Sequence, residues 1–431
     1  MSMDIHLGYG NKELTLSLPE KQILHVIEGK QVEAITDIPA AVKAVLANPT
    51  GTLPLKQIVK KGDKVCLIAS DITRGWVRND LFLPPLLDEL NAAGVPDSDI
   101  TLVVALGAHR HHTDQENITT YGQTVVDRIK IEQSYALDTE DFVKLGTTSQ
   151  GVDTCIYKTV AEADKVILTG GIVYHLMAGF GGGRKSIMPG VSAYASIQGN
   201  HSFCLHDVVG QGISPACISG KLDGNKMHEN IMEMAAMLKP AFLFNAVLTP
   251  EGKFAKFVAG HWADAWLEGC KAVEDIFGVP ITAKADLVIG SAGGFPKDIN
   301  LYQGSKSIDN AFMAAKDGGV VILTLECRDI AEPPDFSGWF EYESLHDREL
   351  ALRKGFTVPG FIALKCGFIA KQVSLIIVTL PENKDFITKA GMIPATSLEE
   401  AMAIAEQKLG RKDYSITVMD HAANTVPVLK G

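Results

Sequence analysis

Three short apolar runs, at residues 64–70, 100–106 and 165–169, each lead straight into a loop crowded with charged residues, histidine or glycine. Unbroken Val/Leu/Ile runs, rather than strict apolar/polar alternation, are the signature of strands buried on both faces of a parallel sheet. Helical patterns lie between them, at 79–93 and after Thr113, a residue able to cap the helix opening with Asp-Gln-Glu. This alternation confines the chain to the α/β class, in which ligands collect beyond the carboxyl ends of the strands.

The same rhythm restarts after residue 278. Strands are expected at 285–290, 320–325 and 374–380, helices at 307–316, 340–354 and 397–409, and a last strand at 414–420. The expected architecture is therefore two α/β domains, each a mostly parallel sheet flanked by helices. Residues 1–278 would form the N-terminal domain, completed by 413–431, and 279–412 the C-terminal one.

Charge and composition exclude several functions. With 51 acidic and 40 basic residues the formal net charge is -11, so general affinity for nucleic-acid phosphates is not expected. No apolar run approaches the roughly 18 residues of a membrane helix. The first residues lack the basic and apolar regions of a signal peptide. Seven scattered cysteines without a CxxC pair suit a reduced, cytoplasmic protein.

The third run opens into the richest stretch of the chain, residues 170–201, which holds eight glycines together with His175, Arg184, Lys185 and His201. Glycines let backbone amides approach a phosphate or a ring closely. A Walker A loop counted from Gly179 would need glycine where Arg184 stands, and Pro189-Gly190 interrupts the helix that should follow. A dinucleotide fingerprint fails as well, since the glycines at 290, 293 and 294 lack its spacing.

Of the twelve histidines, His109, His175 and His201 stand out, each just past an expected strand end or inside the glycine-rich segment. No common zinc pattern fits their spacing, and His111 and His112 read as ordinary structural or solvated side chains. Asp71-x-x-Arg74 follows the first run, and arginine offers a planar fork for a carboxylate. Tyr302-Gln303-x-x-Lys306 sets a phenol, an amide and an ammonium on one short stretch. These residues alone are compatible with a phosphorylated cofactor beside a reactive lysine, with a histidine-based metallohydrolase, or with a non-catalytic nucleotide binder.

Taken in order, Asp71-x-x-Arg74, Gly107-x-His109-Arg110, His175 to His201 with its Gly182-Gly183-Arg184-Lys185-Ser186 core, and Tyr302-Gln303-x-x-Lys306 resemble the nickel-dependent lactate racemase family. The resemblance spans nearly the whole chain. It implies a racemase or epimerase of a 2-hydroxy acid working by reversible hydride transfer through a 2-keto acid, with its site in an interdomain cleft. It implies a nickel-pincer nucleotide tethered to Lys185, made by separate cofactor-biosynthesis proteins. His201 would ligate nickel, and Asp71, Gly182, Gly183, Arg184 and Ser186 would contact the cofactor. His109 and His175 would be the acid/base pair, and Arg74, Tyr302, Gln303 and Lys306 would orient the substrate. The family's lactate enzymes carry a tryptophan where this chain has Val358-Pro-Gly-Phe361, which opens malate, an aryl lactate or a sugar acid such as gluconate as substrates.

Overall fold

The computed structural model describes residues 1–430. Two compact units divide the chain: residues 31–204 with 216–276, and residues 1–30 with 205–215 and 277–431.

In the first unit six strands form one sheet in the order Phe254–Gly260, Phe242–Leu248, Lys165–Gly171, Val65–Ser70, Ile100–Gly107, Lys130–Tyr135. All pairings are parallel except the edge hairpin made by Phe254–Gly260. Val65–Ser70 is buried along all but its last residue, as its continuous apolar run requires. Helix Asn79–Ala92 lays Phe82, Leu83, Leu86, Leu87 and Leu90 onto the sheet at helical spacing. Phe82 stacks at 5.1 Å from Phe244 and meets Phe254 and Phe257 edge-on. Burying each such side chain contributes about 1.5–3 kcal/mol.

Val65–Ser70 lies between Ile100–Gly107 and Lys165–Gly171, and the chain winds outward from it in both directions. This is a topological switch point, where the loops leaving adjacent strands part and leave a crevice. The loops that part there begin at Asp71, at Ala108 and at Ile172.

The second unit carries a wholly parallel sheet in the order Ile393–Ala395, Ser374–Val378, Ala315–Thr324, Ala285–Ser291, Ile416–Met419, Ile23–Ile27. The hairpin Ser2–Tyr9/Lys12–Pro19 adds Ile5, Leu7, Tyr9 and Leu18 to its core. These pairings correct the expected division of the chain. Residues 1–30 and 413–431 do not join the N-terminal domain, because Ile23–Ile27 and Ile416–Met419 complete the C-terminal sheet. The helix expected at 307–316 runs from Leu301 to Ala314, because the Asn300 side chain caps it by accepting from the Gln303 amide at 2.8 Å.

Candidate active site

The loop after Val65–Ser70 is an irregular turn in which Arg74 leaves helical geometry. Asp71 at its start is buried, and its two oxygens are divided between neighbours. One accepts from the Thr73 hydroxyl at 2.6 Å and the other from the His109 Nδ1–H at 2.7 Å. Burial alone would raise this carboxyl, but bonds from His109 and Thr73 and the charge of Arg74 outweigh it and leave it below the ordinary carboxylate range. An ionised Asp71 can only accept, so it fixes the proton of His109 on Nδ1 and leaves a lone pair on Nε2. Asp71, expected at the cofactor, thus has a task inside the protein. Arg74 itself is exposed on the same turn, its guanidinium bonded to Thr73.

The strand Lys165–Gly171 delivers the glycine-rich segment. His175 is half-buried on a short hairpin, and its Nδ1 accepts from the backbone amides of Met177 and Ala178 at 3.2 Å each. Its proton therefore sits on Nε2, the opposite tautomer to His109. Burial, followed by the charges of Lys185, Arg74, Arg184 and His201, holds it well below the ordinary histidine range. His201 ends helix Tyr194–His201, is 4% exposed, and donates from Nδ1 to the Ile197 carbonyl at 3.0 Å. Burial, then Lys185, pushes it down to about 3. It is thus a neutral imidazole with its lone pair on Nε2.

Lys185 follows Arg184 on a tight turn, Gly183–Ser186. Burial, then the charges of Arg184 and Arg74, push its ammonium down to about 7, and no carboxylate pairs with it among the described residues. Arg184 is fully buried. Its guanidinium donates to the carbonyls of Phe180 at 2.7 Å and Ala178 at 2.9 Å, meets His228 Nδ1 at 3.0 Å, and stacks 3.7 Å from the centre of the Trp266 ring. Arg184 therefore holds the loop from behind; a contact from its guanidinium to a cofactor is not what its geometry provides. Its charge still acts on Lys185 and His175 through the protein.

The neighbouring glycines are explained in the same way. A Cβ on Gly182 (φ +65°) would lie 2.7 Å from the Gly171 carbonyl, and one on Gly183 (φ +52°) 2.5 Å from the Trp266 ring. Gly183 donates its amide to Asn245 at 2.8 Å, and the Ser186 hydroxyl donates to the Thr169 carbonyl at 3.3 Å. These residues fold the turn that presents Lys185, which is a different service from the open cradle expected of them.

The structure thus brings Arg74, His175, Lys185 and His201 within electrostatic reach of one another, with Asp71 linking Arg74 to His109. The three histidines of the 109–112 loop diverge. His109 goes to Asp71, His111 to Asp138 and the Tyr135 ring, and His112 inward to Asn117. No three His, Cys, Asp or Glu side chains form a metal-holding group among the described residues.

In the second unit, Tyr302, Gln303 and Lys306 stand at the start of helix Leu301–Ala314, after the strand Ala285–Ser291. Gln303 and Lys306 share one exposed face a turn apart. Phe361 is fully buried against Phe356, so it lines no pocket. Trp339 comes instead against Gly360, where an added Cβ would meet its ring at 2.4 Å.

A doubly wound α/β protein with histidines of fixed tautomer and a lysine of lowered pKa at its switch point has the makings of an enzyme. Residues 9–212 match the lactate racemase N-terminal domain, and residues 281–427 match the lactate racemase C-terminal domain. The lactate racemase of Thermoanaerobacterium thermosaccharolyticum is 31% identical over 98% of this chain and 97% of its own. That of Lactiplantibacillus plantarum is 32% identical over 86% of each. The solved lactate racemase apoprotein from T. thermosaccharolyticum superposes with a TM-score of 0.85 at 29% identity, covering both chains fully. A Thermotoga maritima protein at 14% identity and TM-score 0.61, covering 93% of this chain and 100% of its own, shares the fold. The chain belongs to the lactate racemase family and is an isomerase.

Proposed function

We propose that this protein interconverts the enantiomers of a 2-hydroxy acid, lactate being the first candidate, with His109 and His175 as the acid/base pair. The observation that carries the reading is a lysine amine without an acidic partner among the described residues, set among neutral imidazoles at the switch point.

Removing the C2 proton of an ionised 2-hydroxy acid would place a carbanion beside a carboxylate, which is electrostatically costly. The residues suit another division of the bond. The Nε2 lone pair of His109, fixed by Asp71, takes the hydroxyl proton of one enantiomer. His175, which carries its proton on Nε2, stands ready to protonate the opposite alkoxide. Arg74 would hold the carboxylate through its fork, and Tyr302, Gln303 and Lys306 take substrate-orienting roles in the same proposal.

The residues also fit the cofactor that the resemblance implies, a nickel-pincer nucleotide supplied by separate biosynthesis proteins. Burial and the neighbouring cations push the Lys185 ammonium down to about 7, toward the deprotonated amine that a covalent tether requires. His201 donates through Nδ1 to a backbone carbonyl, the usual arrangement behind an imidazole that ligates a metal through Nε2. The cations Arg74 and Arg184 favour a phosphate. When bound, that group supplies a reversible acceptor for the C2 hydrogen as hydride, so that a planar 2-keto acid links the two enantiomers. His201, Lys185 and the turn around them would hold it.

The test combines substrate and protein. Enantiopure 2-hydroxy acids deuterated at C2 are offered to enzyme made in a cofactor-producing host. Racemisation with the label kept at C2 supports the reading, and the acid turned over fastest names the substrate among lactate, malate, aryl lactates and sugar acids. Racemisation with full exchange of the label into water overturns the hydride route.

A further inference from the structure

We propose that His112 is a positioning residue for this chemistry: it grips the backbone on which Asp71 and Arg74 are carried, and through Asp71 sets the tautomer of His109. The reaction it serves is the one proposed above.

His112 is 6% exposed, and both ring nitrogens are used. Nε2 accepts from the Ile72 amide at 2.8 Å, so the proton lies on Nδ1, which donates to Asn117 Oδ1 at 3.0 Å. Its own backbone is clamped by Gln133, which accepts from the His112 amide at 2.7 Å and donates to its carbonyl at 3.2 Å. The next residue, Thr113, opens helix Asp114–Tyr121 with a capping box to Glu116, and that helix presents both Asn117 and Tyr121. The Tyr121 ring stacks on His112 at 6.2 Å, and its hydroxyl donates to the Ser70 carbonyl at 3.0 Å.

The backbone is therefore held on both sides of Asp71, at the Ser70 carbonyl and at the Ile72 amide. This grip matters because the 72–77 segment is only a short 3-10 turn, kinked at Arg74, with no α-helical or sheet ladder to define it. Asp71 then reaches His109 at 2.7 Å, while its carbonyl accepts from the Arg74 amide at 2.9 Å. Loosening Ile72 would move the carboxylate that fixes the His109 proton together with the arginine offered to a substrate carboxylate. Tight placement of a base by a supporting group is worth orders of magnitude in rate.

The test uses His112→Phe, which keeps the ring against Tyr121 but removes both nitrogens, and His112→Gln, which restores an acceptor at similar reach. Ring-nitrogen-labelled histidine is followed by NMR in the apoprotein, with the His109 signals assigned from His109→Gln. Wild type should show His109 protonated on Nδ1. His112→Phe should show mixed tautomers, and His112→Gln should recover the wild-type pattern. In loaded enzyme, His112→Phe should lose about 10- to 100-fold in kcat with a displaced pH profile and an unchanged mass increment at Lys185. A His109 spectrum and pH profile unchanged in His112→Phe would overturn the proposal. Should that variant fail to fold, Tyr121→Phe, which removes only the Ser70 bond, must shift the His109 signals in the same direction, and no shift overturns it. If wild type turns over no 2-hydroxy acid, the functional reading falls while the NMR result still decides the role of His112.

Discussion

In the first unit, Arg184 is buried and Lys185 partly buried with no carboxylate beside either among the described residues, whereas the second unit holds buried ion pairs, although its buried Arg348, like Arg184, rests on a carbonyl and an aromatic ring. There the Lys365 ammonium sits 2.5 Å from Asp309, both 6% exposed, and the fully buried Glu349 takes Arg353 at 2.6 Å and the amides of Gly210 and Gly212. The sheets are alike and both have a switch point, so architecture does not explain the difference. A buried charge with its counter-charge and hydrogen bonds is complete as it stands. The cations around Lys185, set beside neutral imidazoles, would suit the anionic cofactor of the proposed function.

The largest break in this comparison comes at Lys185. Made in a cofactor-producing host, Lys185→Ala should lack the added mass of wild type and lose at least about a thousand-fold in racemisation. Intact mass and turnover together check it, and an active Lys185→Ala would mean that the partnerless amine is no attachment point.

The paired side should respond through stability instead. Asp309→Ala strands Lys365 and should cost about 3–5 kcal/mol, whereas Asp309→Leu with Lys365→Met should recover most of that. Urea unfolding of the apoprotein measures both. A mild effect of the single substitution would show that water reaches the pair.

The sequence exposes the first unit's frame well, for a physical reason. Parallel strands buried on both faces must be continuous apolar runs, and 65–70, 100–107 and 165–171 are. Thr113 was readable as a cap because capping is local. Strand Ile23–Ile27 was not readable as part of a sheet whose other strands lie more than 250 residues away, because pairing at that distance leaves no local pattern. Lys185, His175 and His201 were found through motif order and loop position, but His112 looked like any lone histidine. Its significance lies in two bonds, to Ile72 and Asn117, that spacing does not encode. Likewise, sequence cannot say which side of a glycine is crowded. At Gly182 and Gly183 the missing Cβ makes room for Gly171 and Trp266.

Arg184→Met sharpens the comparison further, because it keeps the bulk and removes the charge. Two loop carbonyls lose their donors, so the apoprotein should be about 2–3 kcal/mol less stable. The amine of Lys185 should also move from about 7 back toward its ordinary 10.5, since one of the two cations that depress it is gone. Mass-spectrometric acylation of Lys185 across pH follows that shift. An unshifted profile would mean that burial alone sets the amine.

The smallest effect is the pH dependence of apoprotein stability. His201 is held at about 3 in the fold and titrates near 6.5 when unfolded, so between those values the unfolded chain binds more protons and stability rises with pH. Lys185, at about 7 folded and 10.5 unfolded, gives a second rise across that higher window. Asp71 works in the same direction at low pH, its depressed carboxyl contributing stability above 3.8 that is lost as pH falls. Partial exposure lets solvent screen Lys185, so its rise should be about 1–2 kcal/mol. His201→Gln should flatten the lower rise and leave the upper one, and Lys185→Met should do the reverse. In wild type carrying a tethered cofactor the upper rise should vanish, because an acylated amine no longer titrates. A loaded enzyme that kept it would place the attachment elsewhere.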